Sequence, residues 1–232
     1  MNTYYEKELK SGVHYLDEKE SKHCAQVLRQ QVGDEIEIVD GLGSCYQARL
    51  TAVHKKKCEF EITNQTTAQP KPFFTHLAIA PTKSMDRVEW MVEKLCEIGV
   101  DKITFLETEH SERRKLKIER LEKKAISALK QSKNPFKTQI NELQTFSSFI
   151  KEVKIENRFI AHVDASHPYL GDVAKAATDT LILIGPEGDF SNQEIEAAVA
   201  IRFTPVSLGQ STLRTETAGL LACHLINVVN RY

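Results

Sequence analysis

The sequence predicts an α/β protein, with a parallel sheet covered by helices on both faces and a small, mostly antiparallel β-barrel in front of it. Three observations point there. Before residue 70 apolar and polar side chains alternate over short runs. After residue 73 strand-like runs and amphipathic helices follow one another repeatedly, and two of the later strands end in glycine turns that open into helices. The chain has 232 residues, enough for one large or two modest domains. The polar stretch QTTAQPKP carries Pro70 and Pro72, which suit neither a helix nor a strand interior. It is the expected linker between a domain over 1–70 and a domain over 73–232.

The elements follow in order. Residues 20–31 read as a short helix ending near Gly33. DEIEIV (34–39) alternates as a half-buried strand does, Gly41 and Gly43 mark a tight turn, and CYQARLTAV and CEFEIT supply two more alternating runs. Beyond the linker, HLAIA is a strand and residues 86–98 a helix. Asp86 and Glu89 stand at capping-box spacing, Gly99 lies just past its end, and Val88, Met91, Val92, Leu95 and Ile98 share one face. KITFL is the next strand, followed by helices over 117–131 and 146–153. RFIAHV, TLILIG and PVSLG are further strands, and a long helix begins at Thr215.

Composition narrows the function classes. The formal net charge is −1, which favours no polyanionic or polycationic partner. The five cysteines are widely spaced without a C-x-x-C pair, as in a reducing compartment. His23, Cys24, His54 and Cys58 fit no standard zinc spacing, so no metal is expected. The amino terminus is too polar for a secretory signal and no apolar run is long enough to span a bilayer. A cytoplasmic protein without a membrane partner is the expectation.

Ligands of parallel sheets bind where strands end and βα loops gather. In LILIGPEGDFSNQEIEAA (181–198), a strand, a turn with Gly185 and Gly188, and a helix start with Ser191 and Glu194 at capping-box spacing follow within a few residues. Such a turn serves either a tight connection or the close approach of another molecule. In VSLGQSTLRTETAGLLACHLINVV (206–229) a strand again ends in glycine, Gly209, and Arg214 directly precedes a helix, where the macrodipole disfavours a cation. Arg214 pairs there with Glu216 or Glu187, or it meets a ligand with electron-rich oxygens. Residues 113–137 contain ten Lys or Arg and two acids. That run is either a solvated face or a phosphate-binding surface. No G-x-G-x-x-G fingerprint or P-loop occurs.

Together these segments resemble the SPOUT superfamily, specifically the RsmE-type 16S ribosomal RNA uridine-N3 methyltransferases. E-S-K-H (20–23), V-L-R (27–29), G-D (33, 34) and D-G-x-G (40–43) resemble the family's PUA-like RNA-binding module. K-x-x-E-I-G-V (94–100), S-E-R (111–113), K-Q-S (130–132), G-P-E-G-D-F-S (185–191) and L-G-x-x-x-L-R-T-E-T-A (208–218) resemble its catalytic domain. Cys96, where Thr is frequent, and residues 210–212 depart from the common spelling. The resemblance implies S-adenosylmethionine (SAM) bound in a carboxy-terminal trefoil knot, a homodimer, and 16S rRNA or the small ribosomal subunit as partner. It places the cofactor against Leu183, Gly185, Pro186, Glu187, Gly188, Leu208, Gly209 and Leu213. Adenine is then held by main-chain groups and packed by Leu208 and Leu213, and the glycines leave room for the nucleoside.

The imide N3–H of uracil is a weak acid. As its proton leaves, charge spreads to O2 and O4, which makes Arg214 the expected catalytic residue. Glu187 and Glu216 are candidate proton acceptors or structural partners, and the base stays unassigned. Expected RNA contacts are His23 and Arg29 in the first domain and Arg113, Lys123, Lys124 and Lys130 in the basic segment. Two alternatives remain: an RNA-binding ribosome-assembly factor without catalysis, and a SPOUT enzyme acting on tRNA or on a ribose 2′-OH.

Overall fold

The computed structural model describes residues 1–7, 9, 14–164 and 166–232. They form two compact units: Met1–Pro70 with Ile126–Lys137, and Lys71–Ala125 with Thr138–Tyr232.

In the first unit, β1 (Asn2–Tyr5), β2 (His14–Tyr15), β3 (Glu35–Val39), β4 (Ser44–Ala52) and β5 (Glu59–Thr67) form one sheet in the order β1–β3–β4–β5–β2. Every pair is antiparallel except β1 with β3. Alternation in EIEIV turns Ile36 and Ile38 inward, where they meet Tyr4, Leu16, Cys24, Leu50 and Phe60 in a core. Two register shifts between β4 and β5 bend this pair. The expected helix over 20–31 is instead a short α1 (Glu18–Lys22), capped by Asp17, that widens into a π-helical turn, His23–Val27. It stops because Arg29 takes a left-handed φ of 52°.

The segment 126–137 accounts for the DGLGS turn. Gly43 N–H donates to the Pro135 carbonyl (3.0 Å) and Lys137 N–H to the Gly41 carbonyl (2.9 Å). A Cβ on Gly43 would lie 2.7 Å from the Phe136 ring, so this glycine is required by contact as well as by its φ of 109°.

In the second unit, β6 (Thr75–Ile79), β7 (Lys102–Glu107), β8 (Gln139–Thr145), β9 (Asn157–Ala161), β10 (Thr180–Ile184) and β11 (Thr204–Val206) form a wholly parallel sheet in the order β11–β9–β10–β6–β7–β8. β6 and β10 are buried along their whole length, as strands covered on both faces must be. One face packs α4 (Phe146–Lys151) and α6 (Asn192–Ala200) through Phe146, Phe149 and Ala198 onto Ala78, Ile160 and Leu183. Burial of each of the larger of these, Phe146, Phe149, Ile160 and Leu183, contributes about 1.5–3 kcal/mol. The other face carries α2 (Met85–Glu97), α5 (Leu170–Val173) and α7 (Thr215–Val229). Gly219 lets α7 approach closely, since a Cβ there would sit 2.8 Å from Ile79 Cδ1.

Two expectations fail in detail. α2 has Ser84 at its N-cap without a side-chain cap, so Asp86 and Glu89 form no capping box. Glu89 is buried and binds Arg120 of α3 (Ile118–Ser132) instead. β8 was not anticipated, because QINELQT is an edge strand that buries only Ile140.

Candidate active site

Because the sheet is parallel, the carboxyl ends of β9, β10 and β11 share one edge. A cavity of ≈ 350 Å³ opens there, within the usual range for small-molecule sites. Its walls come from three strand exits: His162, Val163 and Asp164 after β9; Gly185, Pro186, Glu187 and Asp189 after β10; and residues 207–215 after β11, with Leu208, Gly209, Leu213 and Arg214 among them. Seven of the nine residues expected at the cofactor and catalytic positions thus meet at one cavity. Leu183 and Gly188 are not in its lining. Leu183 is fully buried in the core, and the Cβ direction of Gly188 faces His110 at 3.2 Å.

The β10 exit is densely tied. Ser191 caps α6 in the expected capping box with Glu194. One Glu194 oxygen accepts from Ser191 N–H (2.9 Å) and the other from Glu109 N–H (2.9 Å) beyond β7. Asp189 takes a φ of 60°. Its carboxylate accepts from Phe190 N–H (2.8 Å) and Val163 N–H (2.9 Å), and its carbonyl lies 3.0 Å from His110 Nδ1. A carbonyl only accepts, so Nδ1 carries the proton. That bond holds the His110 pKa above its ordinary value.

For Gly185 this packing supplies a different reason from the expected one. A Cβ on Gly185 would lie 3.0 Å from Phe190 N and 3.1 Å from Asp189 Oδ1. The space its missing side chain leaves is filled by its own loop. Gly209 is the opposite case: a Cβ there would meet nothing within 4 Å, and its φ of 130° is what favours glycine.

The β11 exit is open. Gly209 N–H bonds to Ser207 Oγ (3.2 Å), and no other hydrogen bond of the described residues reaches the main chain of 210–213. Arg214 is the N-cap residue of α7, with extended backbone (φ −69°, ψ 151°) and an exposed side chain. Neither expected carboxylate pairs with it. Glu216 is buried outside the lining and meets Arg87 at 3.6 Å, while Glu187 accepts from Lys83 N–H at 3.2 Å. Glu216 is thus engaged with Arg87, and among the described residues no ion pair holds the Arg214 guanidinium.

His162, Val163 and Asp164 were missed in the sequence. The signal was a third strand exit, RFIAHVDASHP, with titratable side chains but no glycine. His162 and His167 rings approach to 4.6 Å, and burial lowers the His162 pKa.

The expected RNA contacts separate into two kinds. His23, Arg29 and Lys123 are exposed. Arg113 donates to the carbonyls of Thr82 (3.0 Å) and Lys83, Lys124 meets Glu93 at 3.6 Å, and Lys130 meets Glu20 at 2.7 Å. Among the described residues no group of three or more His, Cys, Asp or Glu side chains could hold a metal ion, and no helix is long and apolar enough to cross a membrane.

This sheet, with its strand-exit cavity, carries the signature of a known enzyme class. Residues 69–227 match the family described as the RNA methyltransferase domain, residues 16–63 match the RNA methyltransferase PUA domain, and the chain belongs to the RNA methyltransferase family. Among solved structures it resembles a probable rRNA-methyltransferase from Porphyromonas gingivalis, with 42% identity, a TM-score of 0.93, and 100% of this chain and 99% of that chain covered. It also resembles the ribosomal RNA small subunit methyltransferase E of Neisseria gonorrhoeae bound to S-adenosyl methionine, with 28% identity, a TM-score of 0.91, and coverage of 99% and 98%. The protein of that name from Buchnera aphidicola is 27% identical over 231 residues, covering 94% of this chain and 89% of its own.

Proposed function

We propose that this chain is a SAM-dependent methyltransferase that methylates N3 of a uracil in 16S rRNA. The observation that carries the reading is the β11 exit: residues 210–213, whose main chain takes no hydrogen bond among the described residues, line a cavity of ≈ 350 Å³ together with Leu208, Leu213 and Arg214. The cavity fits the cofactor chemically. Adenine presents both donors and acceptors on its edge, which the N–H and C=O groups of 210–213 complement, and Leu208, Leu213 and Ile184 offer apolar surface to its faces. Gly185, Pro186 and Glu187 form the opposing wall. Leu183 and Gly188 act one layer behind it, through packing.

When bound, SAM supplies an electrophilic methyl group on a sulfonium. The chain's part is to hold uracil N3 in line with that methyl group and to stabilise the charge that develops on O2 and O4 as the N3 proton leaves. Arg214, in the cavity wall, is the group read as performing the second task, by electrostatic stabilisation. Glu187, fixed by Lys83 N–H, shapes the wall.

The first unit is read as a PUA-like RNA-binding module, with His23 and Arg29 as phosphate or base contacts, and Lys123 as the exposed cation of the basic segment. Arg113, Lys124 and Lys130 act on RNA only through the structure they hold. A trefoil knot around the β11–α7 segment is part of the proposal on the family resemblance, and the strand order β11–β9–β10 with α7 packed on β10 and β6 is compatible with it. A homodimer is supported by exposed Trp90 on α2 and Val228 on α7, two helices of one layer. A cytoplasmic location completes the proposal.

The test is mass spectrometry of 16S rRNA from cells lacking the protein, with purified protein and SAM added back. Loss and restoration of N3-methyluridine is the expected result. RNA binding without methyl transfer would make the chain an assembly factor, and transfer to tRNA or to a 2′-OH would change the substrate; either outcome removes the proposal.

A further inference from the structure

We propose that Asp189 is the positioning residue of the methyl-donor site, whose carboxylate fixes the cavity wall contributed by the β9 exit. The inference rests on reading the cavity as the SAM site, and deepens it.

Asp189 holds a left-handed backbone, φ 60°, which any residue with a Cβ adopts at a cost in free energy, though Asp and Asn tolerate it best. A glycine would serve the turn without that cost. The side chain, however, is fully employed. Oδ1 accepts from Phe190 N–H at 2.8 Å, which closes the turn, and Oδ2 accepts from Val163 N–H at 2.9 Å, which crosses to another strand exit. The backbone carbonyl takes His110 Nδ1–H at 3.0 Å, and the carboxylate occupies the space a Gly185 side chain would need, Oδ1 lying 3.1 Å from where its Cβ would be. One residue thus joins the exits of β7, β9 and β10.

Among the described residues, 162–164 have few other ties. Val163 is 68% exposed, so packing does not anchor it. The remaining backbone bonds of 162–164 are local: Asp164 N–H to the His162 carbonyl, and His167 N–H to the Asp164 carbonyl. Among the described residues, the Val163–Asp189 bond is the only hydrogen bond from 162–164 to another strand exit. All three residues line the cavity, as does Asp189 itself. Without the carboxylate, that wall is free to move away from the ligand, while the sheet beneath it is untouched.

The experiment compares wild-type protein, Asp189→Gly and Asp189→Asn by calorimetric titration with SAM, by thermal unfolding, and by steady-state kinetics on 16S rRNA. Asp189→Gly relieves the backbone and removes the strut. Its Tm stays within about 3 °C of wild type, while its Kd for SAM rises about tenfold, the size expected for one lost hydrogen bond to a charged group. Asp189→Asn keeps the turn and one acceptor oxygen, so its Kd rises by roughly threefold. The KM for SAM follows the Kd in both variants, and kcat at saturating SAM is unchanged. A wild-type Kd in Asp189→Gly overturns the inference, as does a fall in kcat with an unshifted KM. A Tm loss beyond about 5 °C in both variants also overturns it, since Asp189 would then be a folding residue. No binding heat with the wild-type protein would remove the reading of the cavity, and the inference with it.

Discussion

Two glycine-bearing strand exits lie at one edge of the same sheet, and they are built in opposite ways. After β10, Gly185 is pressed against Asp189 and Phe190, and the His110 ring from the β7 exit and the Val163 N–H from the β9 exit tie the turn from outside. After β11, a Cβ on Gly209 would meet nothing within 4 Å, and among the described residues no hydrogen bond reaches the main chain of 210–213. Similar sequence texture therefore conceals different work. The first exit satisfies its own polar groups and becomes a fixed wall. The second leaves them for another molecule, since buried or ligand-covered N–H and C=O groups must find partners somewhere.

The most severe test of this contrast is Arg214, the guanidinium at the end of the open exit. Arg214→Ala is expected to lower the rate of methyl transfer by about 10²–10³-fold, with SAM affinity by calorimetry close to wild type. Full activity would take Arg214 out of the chemistry and leave the open exit a binding surface only.

The glycines come next. Gly185→Ala places a methyl group against backbone atoms at 3.0–3.2 Å, and should cost about 1–3 kcal/mol in chemical denaturation and weaken SAM binding. Gly209→Ala meets open space and pays only for its backbone conformation, about 1 kcal/mol. Equal destabilisation of the two would erase the distinction between a packed exit and an open one.

The contrast between tied and untied groups also runs through the basic segment. Lys130→Ala strands the nearly buried Glu20 and should cost about 1–3 kcal/mol of stability. Lys123→Ala should leave stability alone and lower the salt slope of RNA binding by about one. An unchanged slope would make Lys123 an ordinary solvated cation.

The smallest effect expected is that of pH on the fixed exit. The Asp189 carbonyl raises the folded-state pKa of His110 above the ordinary 6.5. Its contribution is therefore fully present below that ordinary value and is lost as pH rises through the raised one. Thermal unfolding across this window should show a shallow decline in wild type that flattens in His110→Ala. A decline of equal steepness in both would assign it to other groups.

Much of the architecture was legible in the order of residues. The strand-and-helix alternation announced the parallel sheet, the Ser191–Glu194 capping box is formed as spaced, and Gly99 ends α2 with a φ of 76°. These features depend on neighbours within one turn or one strand, which the sequence states directly. β8 escaped because an edge strand needs only Ile140 inside, and a polar run with one anchor has no clear period. Glu89 was assigned to a local cap, whereas Arg120, distant in sequence, holds it.

The site divides in the same way. The sequence by itself determined that glycines, an arginine before a helix and capped helix starts stand at strand exits, because those needs are local to the backbone. Only the tertiary structure decided what each one faces: which exits adjoin, that Gly185 yields its space to Asp189, that Glu216 belongs to Arg87, and that Val163 depends on a carboxylate 26 residues away. Hydrogen bonds and contacts between loops carry no periodic trace in the chain. The sheet order β11–β9–β10 brings those loops together, and strand order emerges only when the chain is folded.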